Sequence, residues 1–151
     1  MKRVNNLYSK IMTYENLFNA VYEASKGKRS RNDVKKVLKN VDYYINRILN
    51  GDYALNQCRT KIINERGKER EITMPNFFPD QIIHWAIMLQ LKPIMMKGMY
   101  KYCCGSVPKR GISYGKNYIE RIFATDKKIK YCLKLDIKKY FPSVDCKIML
   151  N

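Results

Sequence analysis

The chain has 151 residues, 46% of them hydrophobic, which is enough apolar content to bury a core and excludes wholesale disorder. Thirty Lys and Arg stand against thirteen Asp and Glu, a formal charge of +17 that a body this small carries most comfortably beside a polyanion. No apolar run approaches the ~20 residues of a spanning helix, and the basic start Met-Lys-Arg-Val-Asn-Asn leads into no apolar signal core.

The composition therefore points to nucleic acid first, since the charge is spread along the chain and interleaved with twelve Tyr. Tyrosines stack on unpaired bases while Lys and Arg follow phosphates. An anionic membrane surface, an acidic protein partner or a merely solvated basic face remain open on composition alone. Five cysteines (Cys58, Cys103, Cys104, Cys132, Cys146) form no CxxC pair and His84 is the single histidine, which argues against a structural zinc site. With no secretory signal, the thiols read as reduced and the location as cytoplasmic.

The first ~50 residues read as helical. Leu17, Val21 and Ala24 share one face ahead of the polar break Lys26-Gly-Lys-Arg-Ser-Arg31. Lys28 and Arg29 in that break are candidate phosphate contacts, with an idle surface loop as the equal alternative. Helical periodicity resumes through Val34, Val37, Leu38, Val41, Ile45, Ile48 and Leu49, with Ser30 or Asn32 as its cap and Gly51 as its end.

From Cys58 to Met74 the period shortens to that of β structure. Thr60-Lys-Ile-Ile63 and Arg70-Glu-Ile-Thr73 flank the polar turn Glu65-Arg-Gly-Lys68, which predicts a hairpin. Strand alternation sets Lys61 and Ile63 on one face and Ile62 on the other. Pro79-Asp80 opens an amphipathic helix through Ile82, Ile83, Ala86, Ile87, Leu91 and Ile94, which Pro93 is expected to kink or end. His84 reads as a packing residue on that helix.

Residues 102–117 are expected to be loop, with three glycines and Pro108 around Lys109 and Arg110. A further helix carries Tyr118, Ile119, Ile122 and Phe123 at core spacing. A basic turn, Asp126-Lys-Lys-Ile-Lys130, leads into a predicted strand, Tyr131-Cys-Leu-Lys-Leu-Asp-Ile137, with Leu133, Leu135 and Ile137 to one side and Cys132, Lys134 and Asp136 to the other. Asp136 at the end of an apolar strand, before an aromatic turn, suits a magnesium ligand, since Mg²⁺ takes oxygen donors and keeps phosphate among them. The alternative is an Asp that caps a turn.

The segment Leu135-Asp-Ile-Lys-Lys-Tyr-Phe-Pro-Ser-Val-Asp145 closely resembles the first catalytic motif of reverse transcriptases of the bacterial retron, group II intron and diversity-generating retroelement kind. Two upstream segments resemble that family in its order. Arg70-Glu-Ile-x-x-Pro75 with Asp80-Gln-Ile-Ile-His84 is similar to the fingers. Gly105-Ser-Val-Pro-Lys-Arg-Gly111 with Gly115-Lys116 and Ile119-Glu120 is similar to the segment before the catalytic strand. The resemblance covers roughly residues 13–151.

By that resemblance Asp136 is the catalytic carboxylate and, with the backbone carbonyl of Ile137, a ligand of Mg²⁺. Phe141 matches the aromatic gate against a ribose 2′-hydroxyl, and Lys139 and Tyr140 lie where the backbone cradles an incoming dNTP. Arg70 matches the fingers arginine on that triphosphate, with Lys61 or Lys68 as companion. Lys109, Arg110 and Lys116 would meet the RNA template or DNA primer. Read as plain residues, Phe141 is core, Arg70 and Lys61 are hairpin charges, and Asp145 is a helix-start carboxylate.

The implied fold class is α+β: an N-terminal helical segment over 1–56, fingers with a hairpin and connecting helices over 57–130, and the start of an incomplete right-hand palm over 131–151. The implied activity is RNA-directed DNA polymerase, a nucleotidyltransferase. The family's aromatic-x-Asp-Asp hairpin is not among these 151 residues, so the chain alone is expected to be inactive as a polymerase and its hold on Mg²⁺ weak or absent. An unfinished palm would expose a sheet edge, through which a homo-oligomer is expected. The alternatives are a non-catalytic basic lobe that binds nucleic acid, and a protein-interaction fragment.

Overall fold

The computed structural model describes residues 4–55, 58–126, 128–138, 140–145 and 147–148, with Phe141 and Pro142 described by backbone alone. The chain combines helices with a two-stranded antiparallel sheet and divides into two compact units, Met1–Met99 and Tyr100–Asn151. The expected boundary between residues 56 and 57 lies outside the described residues.

The first unit opens with a short helix, α1 (Leu7–Ile11), and then α2 (Tyr14–Ser25). Thr13 caps α2 from an extended backbone, its side-chain oxygen accepting the Asn16 N–H at 3.2 Å. Leu17, Ala20, Val21 and Ala24 repeat at helical spacing and are buried. The helical run expected from Val34 to Leu49 is two helices, α3 (Asn32–Lys39) and α4 (Val41–Leu49), broken at Asn40 (φ −137°, ψ 51°). A one-residue break leaves the apolar spacing intact, so sequence periodicity passes over it. The turn lets Val34 and Val37 of α3 join Ile45 and Ile48 of α4 in one core.

Neither Ser30 nor Asn32 caps α3. Arg31 takes the cap position without a side-chain bond, and Asp33 accepts the Val34 N–H at 3.0 Å. Gly51 ends α4 as expected, at φ 71°, with its N–H on the Ile48 carbonyl at 3.1 Å.

The hairpin forms where predicted: β1 (Arg59–Glu65) pairs antiparallel with β2 (Lys68–Met74), from Arg59 opposite Met74 to Glu65 opposite Lys68. Arg66 and Gly67, at φ 53° and 82°, make the two-residue turn that matches strand twist. The Asn64 side chain accepts the Gly67 N–H at 2.9 Å.

A wide turn, Phe77–Gln81, leads directly into α5 (Ile82–Lys97). Phe77 and Ile82 are buried in the core. Pro93 neither ends α5 nor sits in its packed face; it is exposed, so the turn lacking its amide bond is open to solvent, and the helix runs four residues further. Helix α2 packs on α5 and α4, α1 packs on α5, and α3 packs on the wide turn. Buried Asn16 ties these together, donating to the carbonyls of Ile11 (2.9 Å) and Ala86 (3.0 Å) and accepting from Gln90 (2.7 Å).

The second unit consists of an irregular segment from Tyr100, then α6 (Ile112–Thr125), coil at 126 and over 128–138, and a short helix, α7 (Tyr140–Ser143). Helix α6 begins earlier than the glycines suggest, because Gly111 takes its cap position and accepts the Tyr114 and Gly115 N–H groups. Gly115 suits the helix there: a Cβ would stand 3.0 Å from Cys104 Sγ. Residues 131–137 are extended in sequence pattern only and pair with no strand among the described residues. A strand needs a neighbour for its N–H and C=O groups, and the described residues supply none here.

Candidate nucleic-acid interface

The hairpin register sorts charge between its two faces. Opposed residues share a face, so Arg59, Lys61, Lys68 and Arg70 lie together, with Glu65, and Glu69 and Glu71 lie on the other face. The three hairpin residues among those predicted for dNTP contact, Lys61, Lys68 and Arg70, are thus brought onto one exposed surface. Arg70 forms an ion pair with Glu65 at 3.0 Å, a contact a ligand phosphate would have to compete with. Lys61 and Lys68 have no ion-pair partner among the described residues.

At the base of the hairpin the first unit holds a groove of about 880 Å³. Lys28 and Arg31 come from the turn after α2, Lys36 from α3, Tyr44 and Arg47 from α4, Arg59 from β1, and His84 and Trp85 from α5. Among the described lining residues Asp33 is the one carboxylate. Its partner is Arg31, at 2.5 Å, and hydrogen bonding from that guanidinium is the main cause holding the Asp33 carboxyl below its ordinary value.

Arg47 lies over the Phe78 ring (5.2 Å) and is paired with Asp52. Lys28 Nζ donates to Gln81 Oε1 at 2.6 Å, and Gln81 Nε2 donates to the Pro75 carbonyl at 2.8 Å. Buried Asp80 accepts the Asn76 N–H at 3.0 Å, so the wide turn fixes the floor on which Lys28 rests.

Of the predicted contacts in the break, Lys28 lines this groove, whereas Arg29 is exposed and does not. The packing role expected of His84 is not met: it is exposed and faces the groove, because α5 turns that position away from Ile82 and Ala86. Arg31, Lys36, Arg47, Arg59 and Trp85 carry no motif, and their scatter between positions 31 and 85 hides the groove from linear reading.

In the second unit Lys109 sits at the tip of a tight turn with φ 64°, and Arg110 donates to the Val107 carbonyl through its N–H (3.1 Å) and to Tyr100 through its guanidinium (3.3 Å). Lys109 is therefore free to meet a ligand, while Arg110 also holds the loop. Lys116 pairs along α6 with Glu120 at 3.4 Å.

Beside that turn, Tyr102 and Tyr118 stack with ring centres 3.3 Å apart, and Lys101, Tyr114 and Arg121 line the same small cavity. Hydrogen bonding with Lys101 lowers the Tyr102 phenol, and the same contact raises Lys101. No sequence motif marks this tyrosine cluster.

Asp136 is exposed, with Oδ1 accepting the Ile137 N–H at 3.0 Å. Leu135, Asp136, Ile137 and Tyr140 line an open cavity of about 540 Å³. Magnesium would need more oxygen donors than this set offers. Asp136 is the one carboxylate lining that cavity, and the described residues contain no group of three His, Cys, Asp or Glu able to hold a metal. This donor set does not by itself fit the ion. Lys139 and the Phe141 side chain lie outside the described residues. Asp145 accepts the Lys147 N–H at 2.8 Å, the contact of a helix-start carboxylate.

No helix among the described residues is long and apolar enough to cross a membrane. No protein-family model matches the chain, and no curated protein matches it.

Proposed function

We propose that the chain is the fingers and the beginning of the palm of an RNA-directed DNA polymerase of the retron and group II intron kind. In this reading it binds an RNA template with a DNA primer, receives the incoming dNTP, and contributes Asp136 to a magnesium centre completed by further carboxylates. The observation that carries the reading is the Leu135–Asp145 motif, preceded in order by two segments of the same resemblance. The hairpin adds support, since its register gathers Lys61, Lys68 and Arg70 on one face, where a triphosphate could be gripped. Asp136 is exposed and lines an open cavity together with Tyr140, which is compatible with this reading.

The test is primer extension on RNA by the polypeptide encoded by the whole reading frame that contains these residues. Extension is expected with Mg²⁺ and is expected to vanish in Asp136→Asn. Undiminished extension by that variant would remove Asp136 from the chemistry.

A second reading, a basic lobe that binds nucleic acid without catalysis, is favoured by the cationic groove of the first unit, which involves no carboxylate ligand set. It expects the chain alone to bind RNA with an affinity that falls steeply with salt, because phosphate neutralisation releases counterions. Asp136→Asn would leave that binding unchanged.

A further inference from the structure

We propose that the groove of the first unit is a binding site for a nucleoside monophosphate, met either free or as the phosphorylated end of a single strand. The site stands on residues 28–85 and makes no use of Asp136, so it is independent of the polymerase reading.

Charge selects the phosphate. Arg31 is neutralised by Asp33, and Arg47 by Asp52 together with its place over Phe78. Lys28, Lys36 and Arg59 line the same groove with no carboxylate partner among the described residues. Lys28 is held in place by neutral Gln81, which positions the ammonium without cancelling its charge. Three uncompensated cations suit a phosphate monoester, which carries up to two charges and three strong acceptor oxygens, better than the single charge of an internal diester.

Shape and lining select the nucleoside. A groove of about 880 Å³ lies in the range of small-ligand sites and exceeds what a bare phosphate fills. Phe78 is already occupied, by Arg47 on its face and by Tyr44 at 4.8 Å. Trp85 is half-buried and His84 is exposed, which leaves these two neighbours on α5 as the surface on which a base can stack.

Trp85 is the only tryptophan in the chain, so all tryptophan emission comes from a residue that lines this groove. Titration of the full chain with AMP is expected to change that fluorescence saturably, and adenosine at equal concentration is not. An RNA of about six nucleotides carrying a terminal phosphate at either end is expected to bind about tenfold more tightly than its hydroxyl-ended counterpart, the scale of one charge-assisted contact. If AMP displaces that oligonucleotide, the two share the site; whichever binds more tightly identifies the source.

The double substitution of Lys28→Ala, half-buried, with Arg59→Ala, exposed, neither of them in the apolar core, is expected to weaken AMP at least about tenfold. Equal binding of phosphorylated and hydroxyl-ended strands, or an unchanged AMP response in the double variant, would overturn the proposal. Inorganic phosphate competing as well as AMP would also overturn it, by removing the nucleoside.

Discussion

The two units of this chain use similar apolar patterns and end in different states. In the first, Leu17, Val21, Val34, Ile45, Ile48, Phe77 and Ile82 are buried almost completely, drawn from five segments into one cluster. In the second, α6 carries Ile112, Ile119 and Phe123 at 91%, 53% and 50% exposure, and Leu133 and Leu135 are 82% and 80% exposed. Val107 is the only hydrophobic residue of that unit buried among those described. An amphipathic stripe becomes core only when a second apolar face meets it. The first unit supplies such faces with α2, α4 and α5, whereas the second has one long helix and an unpaired segment.

This contrast is sharpest in stability. Ile45→Ala in the first unit is expected to cost about 2–5 kcal/mol, as a buried branched side chain is removed. Leu135→Ala in the second is expected to stay within about 0.5 kcal/mol. Urea denaturation followed by Trp85 fluorescence for the first variant and by far-ultraviolet circular dichroism for both measures the pair; similar losses would erase the difference between the units.

A smaller effect is expected at Asn16, whose amide joins α1, α2 and α5. Asn16→Ala removes the side-chain donor to the Ile11 and Ala86 carbonyls and the acceptor for Gln90, for about 2 kcal/mol. The same denaturation experiment reads it, and a loss below that of an ordinary surface substitution would mean the helices are held by apolar contact alone.

The smallest effect belongs to the groove edge. Asp33 is held below its ordinary carboxyl value chiefly by Arg31. A lowered folded value means that its contribution is present above the unfolded value of about 3.9 and is lost as pH falls through the folded one. Both partners are about half exposed, so solvent screening limits the contribution to about 0.5 kcal/mol or less. Comparing the acid limb of stability for the parent and Asp33→Asn checks the sign: the variant should lose less as pH falls below about 4.

Much of the first unit was legible in sequence because local rules and burial agree there. The 3.6-residue spacing of Leu17, Val21 and Ala24, the Gly51 stop and the Arg66-Gly67 turn each correspond to an element that forms. The break at Asn40 was not legible, because both helices keep the same spacing across it. Alternation in Tyr131–Ile137 predicts a strand, yet alternation states only which side each residue would take once paired. Pairing depends on a neighbour, and the described residues provide none.

The chemistry divides along the same line. Asp136 and the hairpin cations Lys61, Lys68 and Arg70 could be named from linear order, because motif spacing is a property of the chain. That the three cations share a face follows from the register, which a two-residue turn sets locally. The groove could not be named this way. Lys28, Lys36, Arg59, His84 and Trp85 meet only because α3, α4, the hairpin base and α5 surround the wide turn at Phe77–Gln81. Sequence by itself determined the periodicity, the turn and the order of motifs, all of which depend on near neighbours. Tertiary structure alone decided which stripes became core, which cations kept an unpaired charge, and that His84 faces a groove, since each depends on what the folded chain places opposite.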